Sequence, residues 1–259
     1  MQRATNARDE WHIFLTALMF LTRLPVPKHY HYDERWLGWS TRYFPLVGLL
    51  VGAIGAAVYW LSQPVFPNVL AILLSMMATV LVTGAFHEDG FADCCDGLGG
   101  GLDRNDALRI MKDSRVGSYA LVGLGLLLAC KGITLASMAP EVIAVVLIAG
   151  HGISRWVSIG LIRSLDYVRD DHGKSKPLAT ELTTTDLSVA AVTVTPVVLC
   201  LLYWLSLPVL LILILIMWLT QWLATRYFRR RLGGYTGDCL GAVQQVAEVI
   251  FYLGFLALF

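Results

Sequence analysis

The sequence predicts an all-α, polytopic membrane bundle of about seven transmembrane helices with a cytoplasmic N-terminus, and three observations carry that expectation. Of the 259 residues, 56% are apolar and only 15% charged, where soluble domains average about a quarter charged. The apolar residues gather into runs close to the roughly 20 residues a helix needs to cross a hydrocarbon core. The basic residues fall on alternate connections between those runs. Twenty Lys and Arg against nineteen Asp and Glu leave a formal charge of +1, which argues against a nucleic-acid partner.

Residues 1–43 precede the first span. Within them, 11–24 (WHIFLTALMFLTRL) are too short to cross. They read as an interfacial amphipathic helix with His12, Thr16 and Arg23 toward water, or as a re-entrant segment. The spans are expected near 44–62, 68–86, 119–139, 141–162, 187–205, 208–226 and 240–259. Pro64 and Pro67, Pro140 and Pro208 punctuate the connections, because proline cannot continue a helical hydrogen-bond ladder. Pro196 falls inside the fifth span, where a kink is expected.

Arg3, Arg8, Arg23, Lys28, Arg35 and Arg42 lie before the first span. Four more basic residues lie between spans two and three, four between four and five, and four from the last residue of span six (Arg226) to span seven. The other connections carry none, so the positive-inside rule puts the N-terminus and every substantial loop in the cytoplasm. The five cysteines show no metal or disulfide spacing and are expected as thiols. Neither a signal-peptide cleavage site nor an internal or inverted repeat stands out, the latter counting against a secondary transporter.

The chemistry concentrates in the second cytoplasmic loop, 87–118, where seven of the nineteen acids lie between Glu88 and Asp113. If the second helix continues past the membrane surface, Asp89, Asp93 and Asp96 fall at i, i+4 and i+7, on one face. Like charges at that spacing repel. A hard divalent cation such as Mg²⁺ neutralises them while sharing its other positions with substrate phosphates. The alternative is a solvated acidic loop. Glu88 and Asp113 join the candidate metal set.

Asp103 is a candidate N-cap for a short helix ending near Asp113. Lys112, Ser114 and Arg115 follow as candidate phosphate donors, although positive-inside anchoring also accounts for Arg115. Carboxylates and cations at a membrane surface suit phosphoryl transfer, with His87 or an uncommitted carboxylate as the base. Asp238, in a glycine-rich turn, either caps the last helix or meets a nucleotide. The loop from Arg163 to Asp186 is expected at the rim of the site. Within the membrane, Lys131 is expected to pair with Glu248.

His87-Glu88-Asp89-Gly90-x-x-Asp93-x-x-Asp96-Gly97, followed by Met111-Lys112-Asp113-Ser114-Arg115-x-Gly117, resembles the cobalamin synthase family, the adenosylcobinamide-GDP ribazoletransferases. The segments 20–27 (FLTRLPVP), 43–48 (YFPLVG) and 233–238 (GGYTGD) are similar to the same family. The resemblance runs from about Phe14 to the C-terminus. It implies one membrane-embedded catalytic domain over 1–259, in a Mg²⁺-dependent enzyme of the bacterial inner membrane. α-Ribazole, or its 5′-phosphate, would attack adenosylcobinamide-GDP and release GMP, giving adenosylcobalamin or its 5′-phosphate. A homo-oligomer, or a complex with other corrinoid-pathway enzymes, is left open.

Asp93-x-x-Asp96-Gly97 also looks like the opening of the CDP-alcohol phosphotransferase signature, but Leu98-Gly99-Gly100-Gly101 replaces its Ala-Arg continuation. A transporter or Mg²⁺ channel is the remaining alternative; it would place its acids at mid-membrane depth rather than in a surface loop.

Overall fold

The computed structural model describes residues 6–27, 30, 32–169 and 182–259. Among them the chain forms eleven α-helices and one short 3₁₀ turn, Thr41–Tyr43. The helices are α1 (Ala7–Leu21), α2 (Glu34–Ser40), α3 (Phe44–Ser62), α4 (Asn68–Thr83), α5 (Phe86–Gly100), α6 (Arg104–Ile110), α7 (Ser118–Ala136), α8 (Pro140–Ser164), α9 (Thr184–Leu201), α10 (Leu207–Leu232) and α11 (Gly237–Leu258). Six segments are long and apolar enough to span a membrane, and the pair α4 and α5 makes a seventh if counted together. The fold is therefore all-α and polytopic, as the hydropathy implied.

Burial separates the helices into two classes. In their most apolar windows α8 and α11 bury 72% and 67% of their residues inside the protein, against 17% for α10. The bundle thus has α3, α8 and α11 at its centre, with α7, α9 and α10 around them. Leu211, Leu215, Trp218 and Leu223 of α10 face outward, toward the bilayer that their apolar surface requires. Pro196 is accommodated inside a continuous α9.

The second span differs from expectation. The helix stops at Thr83, because Gly84 (φ 67°) and Ala85 (φ 59°) both adopt the left-handed conformation. Two such residues in succession cannot extend a right-handed helix. The chain turns by 89° and begins α5, so the acidic segment is a helix of its own rather than a loop or a continuation of α4. The apolar run Val80-Leu81-Val82-Thr83-Gly84-Ala85-Phe86 conceals this break.

The N-terminal segment also departs from an interfacial helix in one respect. Thr16 is fully buried, with its hydroxyl bonded to the carbonyl of His12 and paired with the Tyr30 hydroxyl at 2.7 Å. Helix α1 packs on the bundle through Ile13, Leu15, Leu18 and Leu21. Arg42 then ties it down, reaching Glu10 at 3.1 Å and Asp186 at the start of α9 at 3.3 Å.

Candidate active site

Helix α5 carries two opposed functional faces. At about 100° per residue, Asp89, Asp93 and Asp96 fall within an arc of about 60°, while His87, Gly90 and Cys94 lie on the opposite side. The structure follows this wheel: Asp89 is exposed and Asp93 half-buried, whereas His87 and Cys94 are buried against the bundle. Helix α11 crosses α5 at Gly90. A Cβ there would stand 3.0 Å from the Asp238 Cα, tighter than ordinary contact, so glycine favours this close approach. The crossing brings Asp238 to the acidic face.

Asp238 does not cap α11. The Thr236 hydroxyl performs that task, accepting from the Cys239 amide. The Asp238 carboxylate is free to bind Arg169, at 2.6 Å, and Arg169 donates also to the Met111 carbonyl. Arg169 is held there by backbone pairing: the Tyr235 amide donates to the Asp166 carbonyl and the Val168 amide to the Tyr235 carbonyl, at 2.9 and 3.0 Å. This clip between distant segments brings α5, α11, Met111 and Arg169 to one place. The rim assigned to the Arg163–Asp186 loop is thereby observed as far as Arg169; residues 170–181 lie outside the described residues.

The remaining candidates separate by position. Among the described residues, the carboxylates of Asp89 and Asp93 have no hydrogen-bond or ion-pair partner, although the Asp89 amide continues the helix by donating to the Ala85 carbonyl. Burial, then the charges of Asp238 and Asp89, push the Asp93 carboxyl up to about 7. Asp96 is committed to architecture. Its two oxygens accept the amides of Gly117 and Ala120, at 2.6 and 2.8 Å, satisfying donors at the α7 N-terminus that no other side chain caps. Asp103 caps α6 as expected, accepting from the Asp106 amide. Lys112, Ser114 and Arg115 are exposed on the connection beyond Met111, and Asp113 pairs with Arg115 at 2.6 Å.

His87 and Glu88 point away from the acidic face. His87 borders a cavity of about 20 Å³ shared with Arg155 and Ser158. Glu88 accepts a hydrogen bond from Gln245 at 2.9 Å, at the edge of a buried polar seam. In that seam Lys131 bonds Gln245 at 2.9 Å and Glu248 at 3.0 Å, as the paired intramembrane charges implied. Gln244 bridges Glu248 and Ser154, Tyr252 donates to Glu248, and His151 lies between Glu248 and Arg155.

The acidic face offers carboxylate oxygens, the donor type that hard divalent cations take. Among the described residues no three candidate ligands close into a cage. The pattern fits Mg²⁺, which is commonly held by one or two carboxylates and completed by water and substrate phosphates. Two uncompensated acids facing a guanidinium form a site suited to a phosphate-bearing substrate and its counter-ion.

Sequence reading alone gave Arg169 no role in binding and missed Gln245. Arg169 is one charge in a loop rich in charge, and only the Asp166–Tyr235 pairing singles it out. Gln245 falls in an apolar run, where the sole signal is an amide at membrane depth.

Residues 13–256 match the family described as cobalamin-5-phosphate synthase. An adenosylcobinamide-GDP ribazoletransferase of Shewanella frigidimarina is 48% identical over 249 residues, covering 95% of this chain and 94% of that protein. Proteins of the same name from Ralstonia pickettii and Leptothrix cholodnii are each 42% identical, covering 96% of this chain and 97% and 96% of theirs. No solved structure matches.

Proposed function

The chain belongs to the cobalamin-5-phosphate synthase family and is thus an enzyme, a transferase of cobalamin biosynthesis; on that premise we propose that the α5–α11 crossing is its active site. The substrates are adenosylcobinamide-GDP and α-ribazole or its 5′-phosphate. A ribose hydroxyl of the ribazole attacks the cobinamide-side phosphorus, the bond to the GMP oxygen breaks, and GMP leaves. The observation that carries this reading is the pair of unpartnered acids, Asp89 and Asp93, set against Arg169 and Asp238.

Asp89 and Asp93 would hold Mg²⁺, with Asp238 beside them. When bound, the ion neutralises charge on the phosphate oxygens of donor and leaving group. Arg169, fixed by Asp238 and the Met111 carbonyl, presents its guanidinium to the pyrophosphate, a fork matched to phosphate oxygens. Lys112 and Arg115, exposed beyond Met111, would meet the guanosine phosphate as it departs. The proton of the attacking hydroxyl passes to a carboxylate of the acidic face, since His87 lies on the far side of α5. The site faces the cytoplasm of a bacterial inner membrane, in keeping with the distribution of arginines and lysines.

The test is turnover by purified protein in liposomes, with both ribazole substrates, with and without Mg²⁺. GMP and a completed corrinoid formed only with Mg²⁺, and lost in Asp93→Asn, are expected. Full activity in Asp93→Asn would reject the acidic face as the site. No turnover by folded wild-type protein with either acceptor would reject the reaction.

A further inference from the structure

At Gly90 and Gly241 helices α5 and α11 meet backbone to backbone. Gly90 lies against the Asp238 backbone, and a Cβ on Gly241 would stand 3.1 Å from the His87 carbonyl oxygen. Smooth backbone contacts let helices approach closely but do not set how far one slides or rolls on the other. A slip of one residue along α5 is a translation of about 1.5 Å and a rotation of about 100°, enough to carry Asp89 and Asp93 away from Asp238. A working site tolerates roughly 0.5 Å and 10–20°.

We propose that the Glu88–Gln245 hydrogen bond is the pin that fixes this register, making both of them positioning residues for the acidic face. The Gln245 side-chain nitrogen donates to Glu88 at 2.9 Å and to the Gln244 side-chain oxygen Oε1 at 3.0 Å, and its own oxygen accepts from Lys131 at 2.9 Å. Gln245 is 2% exposed, Lys131 5% and Glu88 8%. An amide held at three points in a dry interior has one orientation, so it presents a fixed donor to α5. Glu88 immediately precedes Asp89, and its carboxylate also helps balance the buried cations Lys131 and Arg155 against Glu248. The motif glutamate thus faces inward and acts on the site through helix placement. This rests on the acidic face being the reaction site.

The native thiols Cys94 and Cys239, close neighbours across the same crossing, report the register without any turnover. In protein whose other three cysteines are replaced by alanine, molecular iodine should join Cys94 to Cys239, quantified by peptide mass spectrometry. Glu88→Ala and Gln245→Leu are expected to lose the cross-link and to lower kcat about ten- to a hundredfold, with a smaller change in KM. Glu88→Gln keeps an acceptor at the same reach and should restore both readouts. Glu88→Asp keeps the charge at shorter reach and should not. Where a single variant fails to fold in a thermal scan, the exchange Glu88→Gln with Gln245→Glu decides, since it re-forms the bond in reverse and should restore the cross-link. Unchanged cross-linking in folded Glu88→Ala, or Glu88→Gln as impaired as Glu88→Ala, overturns the pin. If the cross-link pattern holds while no protein releases GMP, the pin stands and the reaction assignment falls.

Discussion

Helices α5 and α11 are shared by two groups of ionisable side chains that obey opposite rules. Inside the bundle, Lys131 and Arg155 face Glu248 and Glu88, two cations against two anions, joined by glutamine, serine, histidine and tyrosine. On the outer face, Asp238 pairs with Arg169, and Arg169 is the cation acting on Asp93 among the described residues. The seam is neutralised by its own residues, whereas the face is left short of positive charge. A buried ion pair broken on one side costs several kcal/mol, so the seam must be complete before anything binds. A half-open cluster of acids tolerates its repulsion because a ligand relieves it. Incomplete compensation, rather than charge itself, marks the place where something else must arrive.

This contrast can be broken most forcefully from the inside. Lys131→Met strands Glu248 in the interior and is expected to cost about 3–5 kcal/mol, read as a loss of folded protein in denaturant titration. Combining it with Glu248→Gln should recover most of that loss. A single variant as stable as wild type would show that the seam is not a closed system.

The acidic face should respond with the opposite sign. Asp93→Asn removes a repelling charge, so metal-free protein should melt no lower than wild type, while turnover falls about a hundredfold or more. Mg²⁺ should raise the melting temperature of wild type through binding to the native state and leave Asp93→Asn unmoved. Equal shifts in both proteins would place the ion elsewhere.

Asp96 sharpens the boundary between the two groups, because it sits on the acidic face yet is fully used. Asp96→Ala frees two amides at the start of α7 and should cost about 1–2 kcal/mol, unlike its neighbour Asp93. The smallest effect is expected at Ala85, whose left-handed backbone costs about 1–2 kcal/mol. Ala85→Gly relieves that cost but gives back a similar amount as chain entropy, so its stability should stay within about 0.5 kcal/mol of wild type. Ala85→Val should be clearly worse, since β-branching opposes φ 59°. Thermal unfolding in detergent checks both.

The membrane helices were legible because hydrophobic burial is set locally, by runs of side chains that solvent cannot accept. The i, i+4, i+7 acids were legible for the same reason, as one helix determines its own faces. The Gly84–Ala85 break was not, since two residues inside an apolar run carry no polarity change. Glu88 read as a ligand beside Asp89, although adjacent residues on a helix diverge by about 100°, and only the bundle around α5 decides which side is inside. Asp238 read equally as a cap or as a nucleotide contact, because its neighbour Thr236 could not be preferred as the cap from composition. Arg169 depends on the pairing of Asp166 with Tyr235, far apart in the chain, and no local pattern encodes such a meeting.

The early end of α4 also bears on the lipid. Its sixteen residues make a rod of about 24 Å, against about 39 Å for the twenty-six of α10 and a hydrocarbon core of about 30 Å. A segment this short is accommodated by local thinning of the bilayer, by flanking residues reaching outward or by packing against other helices. The acidic face is mounted on α5, at the end of that short rod, so the length of α4 sets how far it stands from the opposite end of the bundle.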